Sequence, residues 1–236
     1  MGALDATLRA FGLLLTGDAA LWHLVWVSLA TSLAGLLLAA PPALLLGYQA
    51  ALHPFRWRRA IAWLAQAMLA VPTLLVGLLL YLLLAPAGPL GDLRWLFAEP
   101  GMVLGVFVVT FPVLFAYTLA AVQAVDPLYA ETALALGGTR SQVMLRVLHE
   151  ARFGVMAAIL LGFGRAIAEI GGALVLGGNI AGHTRSLGTA LALEAGRGDV
   201  GQAIALGIVL LAFALPLTGV LAWLQGAPRV LRRQPA

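Results

Sequence analysis

The chain has no cysteine and no lysine. Without cysteine there is no disulfide framework and no thiolate metal site. All fourteen basic residues are arginine. Charge of either sign is scarce: 10% of the 236 residues, against about 25% in a soluble domain. Hydrophobic residues make up 62% and mean hydropathy is +0.99. A water-soluble core of this size cannot hide so much apolar surface, so the chain reads as an integral membrane protein. The net charge of +4 does not mark a nucleic-acid binder. The arginines are scattered in loops rather than gathered in one stripe, and in a membrane protein such loops report topology. Catalytic constellations are lacking too. His23, His53, His149 and His183 have no metal-ligand spacing. There is no Gly-x-Ser-x-Gly elbow and no Walker A sequence, so any ATP that drives this protein is held by another polypeptide. The first residues lack a basic n-region and an A-x-A site, so no removable signal peptide is expected.

What is present is apolar run after apolar run. Crossing a bilayer takes about 20 apolar residues as a helix. Five segments qualify: Leu21–Leu52, Ile61–Pro86, Gly101–Val125, Phe153–Leu176 and Val200–Gln225. Leu4–Leu15 is shorter and flanked by Asp5, Arg9 and Asp18, which suits an interfacial helix; a sixth span is the alternative. The fold class is therefore all-α, five spans plus an N-terminal interfacial helix, in one domain over 1–236. With five spans, Arg56, Arg58, Arg59, Arg140, Arg146, Arg152, Arg229, Arg232 and Arg233 share one side. Arg9, Arg94, Arg185 and Arg197 share the other, each near acidic residues. The positive-inside rule makes the first side, with the C-terminus, cytoplasmic.

One long polar interlude interrupts the pattern on that side, DPLYAETALALGGTRSQVMLRVLHE, Asp126–Glu150. Asp126 and Pro127 suit a helix start. Gly137-Gly138 stops that helix, and Thr139 with Gln142 reads as a capping box opening the next. The expected form is a short surface-parallel helix, then a longer one that re-enters the membrane.

Four features inside the spans invite a pathway reading. Arg165 and Glu169 are four apart, on one helix face. An intramembrane pair either lines a path or pins the helix, and the sequence leaves both open. Pro72 beside Thr73, and Pro112 beside Thr110, are expected to kink the second and third spans. Two rows of small residues run along the fourth span, Gly154-Ala158-Gly162-Ala166 and Gly164-Ala168-Gly172. Either row suits close helix approach, one for a dimer seam and the other within the subunit. Finally, Asn179 and Arg185 lie in a glycine-rich segment, GGNIAGHTR, that reads as an external turn first and an oxyanion cradle second. Ser186–Ala195 looks helical but too short to span, and Asp199 caps the last span.

The interlude also resembles a known family. Glu131-Thr132-Ala133, three more residues, then Gly137, with Val147 ten positions on, resembles the EAA loop of ABC importer permeases. The family's closing Leu-Pro is replaced here by His149-Glu150. The resemblance implies a MetI-like permease fold. It makes Tyr129, Glu131, Ala133, Leu134 and Gly137 the elements of a coupling helix that docks on a cytoplasmic ATPase. The blocks VPTLLVGLLLYLLL, GRAIAEIGGALVLGGNI and ALALEAGRGD are similar to those of the molybdate, tungstate and sulfate permeases, the tungstate type above all. That similarity implies a homodimer in a bacterial or archaeal cell membrane, among lipid, with two ATPase subunits and an extracytoplasmic binding protein. ATP and magnesium would be used by the ATPase, and no cofactor bound by this chain. A molybdate or sulfate permease is the near alternative. A self-contained secondary transporter or channel is the distant one, disfavoured because no inverted repeat is evident.

Overall fold

The computed structural model describes Gly12 and residues 18–52 and 58–224. The interfacial helix expected over Leu4–Leu15 lies outside the described residues, as do Arg56 and the tail arginines. Among the described residues every regular element is helical. In chain order they are α1 (Ala19–Leu52), α2 (Arg58–Leu69), α3 (Thr73–Leu84), a 3₁₀ turn (Gly91–Leu93), α4 (Glu99–Gln123), α5 (Leu128–Ala135), α6 (Arg140–Glu150), α7 (Arg152–Ile167), α8 (Gly171–Gly177), α9 (Leu187–Gly196) and α10 (Val200–Leu224).

Three helices are long and apolar enough to cross a membrane alone: α1, α4 and α10. Two further helix pairs are apolar enough only when taken together and are sharply bent, which allows up to five crossings. Helices α2 and α3 meet at 104°, and α6 and α7 at 73°. Glycine contacts show which way each helix runs. Gly35 of α1 faces Val106 of α4, and Gly47 faces Thr118, so the numbering rises together and the two helices are parallel. The chain must return across the membrane between them, and α2 with α3 makes that return. Gly154 of α7 faces Ala121 of α4, and Gly162 faces Leu114, so α7 is antiparallel to α4. Helix α8 completes its crossing: the Phe97 N–H, just before α4, donates to the Leu176 carbonyl at 2.7 Å.

Two expectations about the spans need correction. Pro72 does not kink a continuous second span. It stands at the head of α3, after a break at residues 70–72. Proline disfavours helical backbone in the residue before it and has no N–H to give, so α2 ends ahead of it and α3 begins after it. The fourth span is not one helix from Phe153 to Leu176 either. It stops at Ile167 and resumes at Gly171, with Glu169 in the gap. Pro112, by contrast, sits inside α4 without ending it.

Lipid gives packed helices no hydrophobic drive, so close approach decides the bundle. The central core joins α1, α4 and α7 through Leu36, Ala39, Ala43, Leu114 and Phe163, all buried. The row Gly154-Ala158-Gly162-Ala166 serves this packing. A Cβ on Gly154 would lie 2.5 Å from the Ala121 Cβ, and one on Gly162 2.9 Å from Leu114 Cδ2. The other row is different: Gly164 looks onto open space and Ala168 is exposed. Helix α9 tucks its first turn inward. Ser186 caps it in a box with Thr189, and the Ser28 hydroxyl of α1 accepts from the Leu187 N–H at 2.7 Å.

Candidate functional site

The polar interlude folds as a helical hairpin. The Asp126 carboxylate accepts from the Leu128 N–H at 2.9 Å, opening α5. At the other end, the Gly137 N–H donates to the Leu134 carbonyl and the Gly138 N–H to the Ala133 carbonyl. That pair of bonds is a Schellman close, with its left-handed residue at Gly137, φ +79°. The second glycine has its own reason: a Cβ on Gly138 would sit 2.6 Å from the Ala133 carbonyl oxygen. Thr139 then opens α6 with both bonds of a capping box to Gln142.

The two arms of the hairpin are used differently. Helix α6 is anchored, with Val143 and Val147 buried in the central core. Helix α5 has no buried residue at all. Leu128, Tyr129, Glu131 and Leu134 are exposed, and Leu136 is 83% exposed. Ala133 is half-buried, beside the close. Beneath the hairpin runs a groove of about 970 Å³, bordered by Tyr48, Gln49 and Leu52 of α1, Gln123, Glu131 and Arg140. The bundle thus holds out a short helix with an apolar face toward the side of Arg140, Arg146 and Arg152.

A second cluster lies where the two broken spans meet. Gly77 of α3 and Gly172 of α8 pack so closely that a Cβ on Gly77 would fall 2.8 Å from the Gly172 Cα. A Cβ on Gly171 would fall 2.9 Å from both the Thr73 hydroxyl and the Leu74 nitrogen. Glu169 sits in the α7–α8 break, its side chain 2% exposed. One oxygen accepts from Arg165 Nη1 at 3.0 Å, and the other from the Gly172 N–H at 2.7 Å. Arg165 remains 31% exposed. A cavity of about 10 Å³ beside Glu169 is bordered by Ser28, Thr31, Ser32 and Ser186. Thus Thr73, Arg165 and Glu169 come to one neighbourhood. Thr110 does not join them: it is fully buried in α4, and its hydroxyl has no partner among the described residues. Asn179 lies in the turn after α8 with φ +51°. Arg185 donates to its carbonyl at 3.3 Å and to its side-chain oxygen at 3.1 Å, which ties the turn to itself. Gly77, Gly172 and the α1 hydroxyls were not singled out for this centre by sequence. Their roles come from contacts between elements distant in the chain.

Among the described residues α5 is the helix of the hairpin that stays uncovered on most of its surface. Comparison with known proteins bears on what such a helix serves. The family model described as "Binding-protein-dependent transport system inner membrane component" matches residues 43–230. The chain belongs to this family. The permease is 37% identical over 207 residues to a probable anion ABC transporter permease protein of Haloferax volcanii, covering 84% of this chain and 89% of that one. It is 29% identical to the tungstate uptake system permease protein TupB of Peptoclostridium acidaminophilum, over 92% of this chain and 95% of that protein. The same-named protein of Campylobacter jejuni is 30% identical, over 90% of this chain and 89% of its own. The permease is thus a multi-pass membrane subunit of an ABC import system, of the oxyanion group and with the MetI-like fold. Partners of such a subunit are an ATPase and a substrate-binding protein.

Proposed function

We propose that this permease is the membrane path of an ATP-driven importer of a tetrahedral oxyanion, tungstate first, built from two copies of the chain and two ATPase subunits. The observation that carries the reading is α5. It is an eight-residue helix with no buried residue, closed by a Schellman motif and resting on the core through the half-buried Ala130 and Ala133. Such a helix is stable as a protrusion and ready to be covered. Leu128, Tyr129, Leu134 and Leu136 supply apolar surface to a groove on the ATPase, and Glu131 supplies charge. The arginine-rich side, with the C-terminus, is cytoplasmic, where ATP is. Tungstate rests on the two relatives named for it, each spanning about nine-tenths of the chain. The permease itself holds no ATP, and its role is a gated path rather than a reaction.

The test is reconstitution. The permease, its ATPase and its binding protein are placed in liposomes, with ATP supplied on the ATPase side. Radiolabelled tungstate should accumulate only when all three proteins and ATP are present. Molybdate or sulfate should compete poorly. Uptake that persists without the ATPase would refute the importer and favour a self-contained transporter. Preferential uptake of molybdate or sulfate would move the cargo and leave the rest standing.

A further inference from the structure

Resting on the importer reading, we infer that Arg165 is the intramembrane contact for the transported oxyanion, and that Glu169 positions this cation and attenuates its charge. Depth comes first. Arg165 lies thirteen residues into α7, about 20 Å along a helix rising 1.5 Å per residue, in a hydrocarbon core about 30 Å thick. At that depth an arginine facing lipid is costly, so its open edge faces water or protein. Nearly a third of its side chain is accessible, and Gly164 beside it leaves open space. Among the described residues only Nη1 has a partner, Glu169. The rest of a five-donor fork is therefore free for a tetrahedral anion, whose oxygens match it.

Glu169 is built to hold this geometry. Its carboxylate is almost wholly buried, so cargo meets the guanidinium and not the carboxylate. One oxygen fixes Arg165; the other is pinned by the Gly172 N–H. Gly172 has no side chain for a reason: a Cβ there would lie 3.0 Å from the pinned oxygen. The chemical effect is on binding strength. A path must bind cargo well enough to admit it and weakly enough to release it. A bare arginine in low dielectric would trap a dianion. An arginine already paired with a carboxylate presents a nearly neutral unit with free donors, which recognises and then lets go.

The experiment uses the permease–ATPase complex in nanodiscs, without binding protein, and radiolabelled tungstate as probe. Glu169→Gln keeps the shape and the acceptor for Gly172 but removes the negative charge. It should bind tungstate at least about tenfold tighter than the native complex, and the added Arg165→Gln change should abolish the gain. Binding of Glu169→Gln no tighter than native would overturn the inference. If Glu169→Gln does not accumulate, Arg165→Lys decides. Lysine preserves the ion pair and so the folded yield, but offers no planar fork. In proteoliposomes with the binding protein and ATP, maximal tungstate uptake should fall by about tenfold or more at native yield. Native uptake by Arg165→Lys would overturn the inference while leaving the importer intact; absence of oxyanion uptake by the native complex would refute the importer itself.

Discussion

Gly137 offers a way to loosen α5, the helix proposed to couple to the ATPase, without touching the bundle. Its φ of +79° lies in the left-handed region, where a side chain costs about 1–2 kcal/mol. No neighbour lies within 4 Å of a Cβ there, so the penalty is conformational, not steric. Valine, branched at Cβ, sits at the upper end of that range; asparagine, which tolerates left-handed backbone, sits near the lower end. Because α5 has no buried residue and rests on the core only through Ala130 and Ala133, little packing offsets the loss. A penalty of about 1.4 kcal/mol raises local opening tenfold. Amide exchange at Leu134–Gly138 should accelerate by about tenfold in Gly137→Val, while exchange in α4 and α7 stays native. Binding-protein-stimulated ATP hydrolysis should uncouple from uptake in the same variant, with membrane yield unchanged. Gly196→Ala is the control, since nothing lies near its Cβ. The reasoning fails if Gly137→Val matches native exchange and coupling, or if Gly137→Asn is the more damaging of the two.

Gly138→Ala should be at least as harmful as Gly137→Val, because its Cβ meets the Ala133 carbonyl at 2.6 Å and the closing hydrogen bond must yield; exchange at the same amides is the readout. Gly77→Val should cut the folded yield sharply, since even a Cβ would meet the Gly172 backbone at 2.8 Å; native thermal stability in detergent would contradict the packing. Ser28→Ala should destabilise by about 1–3 kcal/mol by stranding the buried Leu187 N–H, which it bonds at 2.7 Å; a melting curve on the purified complex measures this. Single cysteines at Leu136 and Ile180, both exposed, should divide by side: an impermeant thiol reagent on intact cells should label Ile180→Cys and spare Leu136→Cys.

The hairpin was legible in the sequence because its devices are local. Asp126, Gly137 and the Thr139–Gln142 box each act within a few residues, and each appears in the structure where the spacing placed it. The apolar spans were legible from hydropathy for the same reason, and three of them stand as single long helices. The breaks were not. The apolar run continues straight through residues 70–72, and at 168–170 only Glu169 interrupts it, which marks a charge but not a break; hydropathy does not register backbone angles. Pro72 signalled a disturbance but not its size, a 104° turn against an expected kink. Glu169 was expected on a helix face with Arg165. The pair forms, but with Glu169 beyond the helix end, which gives its second oxygen to Gly172. Which row of small residues packs inside the subunit was undecidable locally; it depends on Ala121, Leu114 and Leu36, in helices far away in sequence.

The glycine contact between α3 and α8 has a mechanical consequence. Side chains between two helices act as a compliant layer that lets one slide or tilt against the other. Between Gly77 and Gly172 that layer is missing, and backbone bears on backbone. The two half-helices therefore transmit load as a single strut. Bending at residues 70–72 drags the segment at 168–170 with it, so the two discontinuities work as one joint.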